Sequence, residues 1–420
     1  MKRYDTYTES GISWIGKIPS HWERKRCKEL LTESKTVVGD KSNDYTLLSL
    51  TTKGVIVRDL SESKGKFPKE FNTYKVVKPD DLVFCLFDVD ETPRTVGHVK
   101  NYGMLTGAYN VFSVTGVNVR YLYLYFIALD DRKVLKPLYK GLRKVIPLPA
   151  FMSMPIYLPP QAEQEAIVAY LDEKCAQIDR YVASLEERIE RLGELRQAFI
   201  TETVTRGINP QAPLRPSGIP WLGEIPKHWE RRRCKELLTE SKTVVGNKSD
   251  DYTLLSLTTN GVIVRDLSES KGKFPKEFDT YKVVKPDDLV FCLFDVDETP
   301  RTVGHVKNHG MLTGAYNVFS VTGVNIRYLY LYFIALDDRK ALKPLYKGLR
   351  KVIPLPAFMS MPIYLPPQAE QEAIVAYLDK KTTQIDRYTG QLEEMIRQMK
   401  DLRQTIISEA VTGKICVLPN

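Results

Sequence analysis

The chain has 420 residues, of which 43% are hydrophobic and 27% charged, the composition of an ordinary soluble globular protein. Lysine and arginine outnumber aspartate and glutamate by 61 to 52, and this net charge of +9 favours a polyanionic partner. No stretch approaches the roughly 18 apolar residues of a membrane span, and the first residues lack the apolar core of a secretion signal. We therefore expect a cytoplasmic protein without membrane contact.

The sequence contains one module twice. From residue 21 onward it repeats from residue 228, always 207 residues apart and without insertion or deletion. Only eight positions differ between 21–172 and 228–379, among them Lys53/Asn260 and Tyr102/His309. The period is far longer than that of solenoid repeats, so each copy is a domain rather than a repeat of an array. Two copies of one module suit a target that presents its information twice, as duplex DNA does.

The first part of each copy has the pattern of a mixed α/β domain. Turn signals at 78–81 and 115–118 separate runs rich in β-branched and aromatic residues, which predict strands. Residues 119–135 have the apolar spacing of a helix. The predicted strands of the first copy are Tyr45–Leu50, Gly54–Val57, Tyr74–Val77, Asp81–Phe87 and Tyr109–Val114.

The second part of each copy predicts a long helix. Pro159 and Pro160 end the preceding structure, and Gln161 to Thr205 then contains no proline. Apolar residues follow in alternating steps of four and three, a heptad seam that only Arg196 and, in the second copy, Arg403 interrupt. At 1.5 Å per residue the helix is roughly 65 Å long, and its apolar face needs a partner helix, for which the other copy is the nearest candidate. The predicted seam residues are Leu171, Ile178, Val182, Leu185, Ile189, Leu192, Phe199, Leu378, Ile385, Leu392, Ile396, Met399 and Ile406.

These patterns give the boundaries of the predicted domains. The sequence predicts an α/β domain at 1–157, a helix at 158–206, a linker at 207–226, a second α/β domain at 227–364, a helix at 365–413 and a tail at 414–420.

The sequence offers no catalytic motif. The six cysteines form no Cys-x-x-Cys pair and the five histidines have no metal-ligand spacing, so we predict reduced thiols and no metal site. No phosphate-binding loop is present. The strongest alternative is a metal-dependent nuclease that uses Asp80, Asp81 and the carboxylates of 88–91. However, proline stands where the lysine of a nuclease motif should follow Glu91, so a turn and a solvated loop are favoured.

Three basic segments in predicted loops of each copy are the candidates for nucleic-acid contact. Lysine, arginine and backbone amides beside glycine approach phosphates closely, and arginine and asparagine read base edges. Scattered solvent-facing charge is the alternative interpretation. The candidates in the first copy are Lys64, Lys66, Lys69, Arg94, Lys100, Asn101, Tyr109, Lys140, Arg143 and Lys144. Their counterparts are Lys271, Lys273, Lys276, Arg301, Lys307, Asn308, Tyr316, Lys347, Arg350 and Lys351.

Several motifs resemble those of the specificity subunits (HsdS) of type I restriction-modification systems. The opening Ser10–Trp22 resembles the start of a target recognition domain, and Val77–Phe84 is similar to a "pGDlvf" segment in which Asp80 replaces the usual glycine. Gly103–Tyr109 resembles "G-x-x-s-x-a-Y". The most specific is Ile156–Ile167, which resembles the "lPP-x-x-EQ-x-x-I" junction into a conserved helix. Each motif recurs 207 residues on, so the resemblance covers essentially the whole chain.

The resemblance implies two recognition domains joined by two long helices in an antiparallel coiled coil with pseudo-twofold symmetry. It implies a subunit without catalytic activity that binds double-stranded DNA and recruits two methyltransferase subunits and the restriction subunits. S-adenosylmethionine is then expected on the methyltransferase, and ATP and Mg²⁺ on the restriction subunit. The implied role is in DNA methylation and host defence.

The near-identity of the copies predicts a target that the family does not typically read. Two equal domains related by a pseudo-twofold axis predict an inverted repeat, with one short half-site, an unread spacer and the reverse complement. A self-sufficient endonuclease and a symmetric repressor are the rival functions. Cleavage without partners would favour the first rival, and the absence of a co-purifying methyltransferase the second.

Overall fold

The structure is a computed structural model, and it describes residues 2–58, 70–89, 94–265, 278–296, 299 and 301–418. Contacts divide the chain into two units. The first consists of Met1–Leu185 with Glu393–Asn420, and the second is the continuous segment Glu186–Leu392. Each unit contains one α/β domain and one half of each long helix, so the first unit is assembled from two distant segments of the chain.

The first unit contains twelve short strands within its described residues. They are β1 (Tyr7–Glu9), β2 (Lys17–Pro19), β3 (Glu23–Arg26), β4 (Leu31–Ser34), β5 (Leu48–Thr51), β6 (Gly54–Val57), β7 (Lys75–Val77), β8 (Leu82–Phe84), β9 (Val96–His98), β10 (Gly103–Leu105), β11 (Asn110–Val114) and β12 (Pro155–Leu158).

The described residues of the second unit repeat this strand series. The strands are β13 (Leu214–Pro216), β14 (Glu224–Pro226), β15 (Glu230–Arg233), β16 (Leu238–Ser241), β17 (Leu255–Thr258), β18 (Gly261–Val264), β19 (Lys282–Val284), β20 (Leu289–Phe291), β21 (Val303–His305), β22 (Gly310–Leu312), β23 (Asn317–Val321) and β24 (Pro362–Leu365).

The helices also occur in two sets. They are α1 (Cys27–Leu30), α2 (Val119–Asp131), α3 (Leu148–Ser153) and α4 (Gln161–Arg206), followed by α5 (Cys234–Leu237), α6 (Ile326–Asp338), α7 (Leu355–Ser360) and α8 (Gln368–Val411). Short 3₁₀ turns lie at Gly39–Asp44 and Lys136–Leu138, and again at Gly246–Asp251 and Lys343–Leu345. No helix in the described parts of the chain is both long and apolar enough to cross a lipid bilayer.

An antiparallel four-stranded sheet organises each domain. In the first unit its order is β4-β11-β8-β9, and in the second β16-β23-β20-β21. Helix α2 packs on this sheet with its apolar side chains buried, and the side chain of Asn118 caps its first turn by accepting from Tyr121 N at 3.0 Å. The Phe84 ring contacts those of Phe126 and Phe151 edge-on or tilted, at centroid distances of 4.8 and 4.9 Å. These aromatic contacts join strand β8 to helices α2 and α3.

Glu163 and Gln164 form the junction between the domain and the long helix. They are the glutamate and glutamine of the "lPP-x-x-EQ-x-x-I" segment. Glu163 accepts hydrogen bonds from Tyr4 Oη at 2.6 Å and Trp22 Nε1 at 3.0 Å, and its other oxygen lies 2.8 Å from His21 Nε2. Gln164 Oε1 accepts from Asn118 N at 2.8 Å. We call Glu163, Gln164 and these partners the helix socket, because they fix the start of α4 to the domain.

The second helix socket repeats the first with one partner fewer. Glu370 Oε2 lies 2.7 Å from His228 Nε2, and Glu370 Oε1 accepts from Trp229 Nε1 at 3.2 Å. Gln371 Oε1 accepts from Asn325 N at 2.8 Å. The position equivalent to Tyr4 is Gln211, whose side chain offers no phenol.

The long helices pack antiparallel within each unit. In the second unit Arg196 pairs with Asp386 at 3.4 Å, and farther along α4 the Phe199 ring lies 5.8 Å from Lys381 Nζ, so the numbering rises on one helix as it falls on the other. In the first unit Arg403 pairs with Asp179 at 3.4 Å. The arginines that interrupt the apolar seam thus pair with aspartates of the opposite helix.

The structure buries the predicted seam to different depths. Leu171, Leu185 and Leu378 have no exposed surface, whereas some residues of the seam are only half-buried. Buried with them are Ile178, Val182, Ile385, Ile396 and Ile406, and the half-buried members are Ile189, Leu192, Phe199, Leu392 and Met399.

Some predicted boundaries differ from the structure. The helix predicted at 119–135 ends at Asp131, because Lys133 adopts a positive φ of 50° and turns the chain. The segment 207–226, predicted as a linker, contains the paired strands β13 and β14, and Leu222 and Ile225 are buried in the second core. Strands β1–β4, β9, β10 and β12 were not predicted, because segments such as Glu23–Arg26 and Gly103–Leu105 lack the run of β-branched and aromatic residues that marks the predicted strands.

Candidate nucleic-acid interface

Three side chains form a layer at the loop edge of the first domain. The Phe87 and Tyr109 rings are stacked with centroids 6.2 Å apart, and the Arg143 guanidinium lies 5.6 Å from the Phe87 centroid. We call Phe87, Tyr109 and Arg143 the aromatic platform. In the second domain Phe294, Tyr316 and Arg350 repeat it, with distances of 6.2 and 5.7 Å.

Asp88 holds the arginine of the platform in place. Arg143 Nη2 donates to Asp88 Oδ2 at 2.7 Å, and Asp88 N donates to the Arg143 carbonyl at 2.8 Å. The hydrogen bond between the two side chains lowers the pKa of the Asp88 carboxyl and raises the pKa of the Arg143 guanidinium, so both groups are charged at neutral pH. The Arg143 side chain nevertheless remains 70% exposed. It is thus oriented by the protein and open to a ligand, the arrangement that recognition of phosphate or a base edge requires.

A tight hairpin carries Arg143 outward. Lys140 and Val145 exchange backbone hydrogen bonds of 2.9 and 3.0 Å, and the tip between them includes Gly141 at φ 69° and Lys144 at φ 46°. The side chain of Leu142 at the tip is fully exposed, as is that of its counterpart Leu349. Lys140 is exposed and Lys144 is half-buried, and Lys347 and Lys351 have the same exposure in the second unit. The hairpin therefore presents a basic surface around one apolar side chain.

The Arg94 side chain is mostly buried and has ion-pair partners within its own domain. Its Nη1 donates to Asp131 Oδ1 at 2.5 Å and to Asp130 Oδ2 at 3.5 Å, and the side chain is 19% exposed. Arg301 makes the same pairs with Asp338 at 2.7 Å and Asp337 at 3.4 Å. The structure thus gives these two candidates internal partners that tie the loop before β9 to helix α2, and the loop before β21 to α6.

The turn between β9 and β10 carries other predicted residues at the surface. Lys100 and Asn101 are exposed there, and so are Lys307 and Asn308 in the second domain. The next residue, Tyr102, is 51% exposed, with its ring centroid 5.6 Å from that of Tyr45. Exposed rings of this kind can stack on bases.

The remaining predicted residues divide between a turn and segments outside the described residues. Lys64, Lys66 and Lys69, with Lys271, Lys273 and Lys276, lie outside the described residues, as do Asp90 and Glu91. Asp80 has a φ of 70° and Asp81 Oδ2 accepts from Lys78 N at 2.8 Å, which is the predicted turn. In the described part of the chain no three histidine, cysteine or acidic side chains converge as a metal site.

Phe87 and Leu142 belong to this surface but were missed in the sequence. Phe87 ends a run of apolar residues that predicts a strand, while Leu142 lies among basic residues and resembles an ordinary apolar position. The useful signal is that Phe87 and Asp88 are adjacent. An aromatic ring next to a carboxylate can hold one arginine both by a cation–π contact and by a hydrogen-bonded ion pair.

Comparison with known proteins identifies the fold. No family model and no curated protein matches the sequence. A chain from a structure of a type I R-M system, described for complex assembly and conformational transition, is similar over 94% of this chain and 98% of its own, with a TM-score of 0.64 and 15% sequence identity. The chain therefore has the fold of a type I R-M chain, and the predicted class of two α/β domains with two long helices is confirmed.

Two other solved structures give weaker matches. The HsdS subunit from Thermoanaerobacter tengcongensis has a TM-score of 0.47 at 16% identity, covering 97% of this chain and 99% of that one. The S subunit of the type I restriction-modification system from M. genitalium has a TM-score of 0.35 at 12% identity, covering 95% and 96%.

Proposed function

We propose that this chain is the DNA sequence-specificity subunit of a type I restriction-modification complex and has no catalytic role. The observation that carries the proposal is the presence of two near-identical α/β domains. Each domain belongs to one unit together with one half of each long helix, and the two helices are antiparallel within the unit. Each unit presents the same exposed, oriented arginine on an aromatic platform. The shared fold of a type I R-M chain and the family motifs in both copies support the same assignment.

The proposed target is bipartite, with two half-sites that form an inverted repeat. Residues Phe87, Asp88, Tyr109 and Arg143 recur unchanged in the second copy, so the two units have the same recognition chemistry. Two equal readers on antiparallel helices match a sequence followed by its reverse complement. The long helices are proposed to set the length of the unread spacer.

The proposed partners are two methyltransferase subunits and the restriction subunits of the complex. S-adenosylmethionine would be bound by the methyltransferase, and ATP and Mg²⁺ by the restriction subunit, with none of them held by this chain. The family resemblance supports these partners, and the similar chain belongs to a type I R-M system described for its complex assembly.

Methylation mapping tests the proposed target directly. Cells expressing this chain with its methyltransferase are expected to carry methylated adenines in one bipartite inverted repeat, identified by genome-wide methylation sequencing. Arg143→Ala should degrade recognition of one half-site and Arg350→Ala that of the other, so each single variant should methylate an asymmetric, relaxed motif. An asymmetric motif in the unaltered protein would contradict the inverted repeat, and cleavage of DNA by the purified chain with Mg²⁺ alone would contradict the absence of catalysis.

Helix length tests the spacer. Inserting one heptad into both α4 and α8 adds roughly 10 Å, which corresponds to about three base pairs at 3.4 Å each. The preferred gap between the half-sites should lengthen by that amount while the half-sites stay the same. An unchanged gap would show that the helices do not set it.

A further inference from the structure

A cleft of about 540 Å³ lies in the first unit, between the α/β domain and the long helices. The turn of the β5–β6 hairpin, the residues around β9, and helix α2 form the domain side, and α4 and α8 close the other side. Six basic side chains line it, and these are Lys53, Arg94, His98, Lys100, Arg120 and Arg403.

Charge in this cleft is strongly unbalanced. Apart from the histidine, five cationic side chains line it, and among its described lining residues Asp179 is the single acidic one. The carboxylates that neutralise two of the arginines lie outside the lining, since Arg94 pairs with Asp131 at 2.5 Å and Arg120 with Asp172 at 2.7 Å. These pairs fix the arginines in position, and the positive charge that the described carboxylates do not balance comes from Lys53 and Lys100.

The cleft also contains donors that the protein leaves for a ligand. Within the described part of the chain neither Lys53 nor Lys100 forms an ion pair, and both are exposed. The Nε of Arg403 lies 3.4 Å from Asp179 Oδ1 but has no hydrogen-bond partner, although it is buried. A buried donor without a partner costs free energy unless a ligand or water accepts from it.

We propose that this cleft binds a backbone phosphate of duplex DNA. The inference rests on the proposed function, because it assigns to the same protein a contact made beside the base-reading surface. A phosphodiester oxygen accepts from several donors at once, and its negative charge would balance the excess of cationic side chains in the cleft. The contact is independent of sequence and positions the domain on the duplex.

The second unit carries a natural variant of the cleft. Its paired arginines are the same, with Arg327 to Asp379 at 2.9 Å and Arg196 to Asp386 at 3.4 Å. At the tip of the hairpin, however, Asn260 replaces Lys53. The first unit is therefore expected to neutralise one more phosphate charge than the second.

Salt dependence of binding measures this interaction. Binding of the full chain to a 30-base-pair duplex is followed by fluorescence anisotropy between 50 and 200 mM KCl. The slope of log K against log salt falls in magnitude by about 0.9 for each phosphate that the protein no longer neutralises. Lys53→Asn should reduce the slope by this amount, with roughly eightfold weaker binding at 0.1 M salt. Asn260→Lys should increase the slope by the same amount.

Matched variants separate the possible outcomes. Lys28→Asn removes an exposed lysine that does not line the cleft, and it should change the slope less than Lys53→Asn. Equal slopes for Lys53→Asn and the unaltered chain would overturn the proposal while leaving DNA binding intact. No DNA binding by the unaltered chain would instead contradict the proposed function.

A second measurement distinguishes the source of the phosphate. Calorimetric titration with inorganic phosphate tests whether the cleft takes a free anion. Saturable phosphate binding that Lys53→Asn abolishes, together with an unchanged DNA salt slope, would assign the cleft to a small anion and overturn the DNA contact. A salt slope that changes without saturable phosphate binding supports the contact with duplex DNA.

Discussion

The two helix sockets share their sequence but not their completeness. Glu163 has three partners and a side chain that is 5% exposed, whereas Glu370 has two partners and is 22% exposed. The additional partner, Tyr4, lies before the repeated segment begins. The contrast teaches that identical local sequence gives the same geometry, while chain segments outside the repeat decide how deeply that geometry is buried.

The segments that complete each unit differ in origin. In the first unit Cys416 N donates to the carbonyl of Lys2 at 2.9 Å, so segments from opposite ends of the described chain meet beside the socket. In the second unit the chain runs continuously from α4 through Gly207 into the domain. Burial, together with the hydrogen bond to Glu163, also raises the pKa of the Tyr4 phenol well above its usual value. The phenol therefore stays protonated and donates to Glu163 throughout the physiological pH range.

Removing the socket carboxylates is expected to produce the largest effect. Glu163→Ala leaves three donors without their acceptor and should cost roughly 3 kcal/mol, whereas Glu370→Ala removes two bonds at a more exposed site and should cost roughly 1.5 kcal/mol. Thermal unfolding by scanning calorimetry compares the two variants. Tyr4→Phe removes only the additional bond, at roughly 1 kcal/mol. Equal losses for Glu163→Ala and Glu370→Ala would contradict the difference between the sockets.

Ionisation of the buried thiols Cys27 and Cys234 should give an effect of intermediate size on the unfolding free energy, and the effect should be equal in the two units. Burial raises the pKa of Cys27 and of Cys234 to about 12 from the ordinary 9.0. Because ionisation is suppressed only in the folded state, this contribution to stability is complete below pH 9 and is lost as the pH rises toward 12. At pH 10 the loss is about 1.4 kcal/mol for each thiol.

Chemical denaturation between pH 8 and 11 measures this loss. Cys27→Ala and Cys234→Ala should each remove the contribution of one thiol from the pH dependence of the unfolding free energy, and the two losses should be equal. A pH dependence that neither substitution alters would show that these thiols are ionised equally in the folded and unfolded states. Unequal changes would show that the cores of the two domains differ despite their matching sequences.

The ion pairs that cross the helix seam should give the smallest effect. Asp179 and Asp386 are 64% and 62% exposed where they pair with Arg403 and Arg196, so water and salt screen both pairs. Asp179→Ala and Asp386→Ala should each cost at most about 1 kcal/mol, and 1 M salt should reduce that loss. Urea unfolding at low and high salt tests this. A loss well above this range at either site would indicate that the aspartate has a further structural role in that unit.

The helices of this fold were predictable, whereas several strands were not. The heptad spacing from Leu171 onward and the two prolines before Gln161 define α4 almost to the residue, because a long periodic segment repeats its signal many times. Strands such as β3 and β12 exist because they pair with each other across more than a hundred residues. Such pairing depends on tertiary structure, which local periodicity does not contain.

The candidate site was predictable as a surface but not as a geometry. Arg143 and Arg94 are both predicted from basic segments in loops, yet one side chain is 70% exposed and the other 19%. The difference arises because Asp130 and Asp131 lie opposite Arg94 on helix α2, a proximity set by the fold. The sequence likewise shows that Lys53 differs between the two copies. It does not show that Lys53 lies at the tip of a hairpin and lines a basic cleft.

The division of the first unit between two distant segments also determines the order in which the molecule can be completed during synthesis. Residues 186–392 are contiguous, so the second unit has all of its parts once that stretch has left the ribosome. The first domain emerges earlier but lacks the half of α8 that packs against it until residues beyond 393 appear. The surface of this domain that packs against the long helices is therefore covered last. One contact made at that stage is the hydrogen bond from Tyr121 Oη to the backbone carbonyl of Val411, at 3.1 Å. The domain translated first is therefore the one that is finished last.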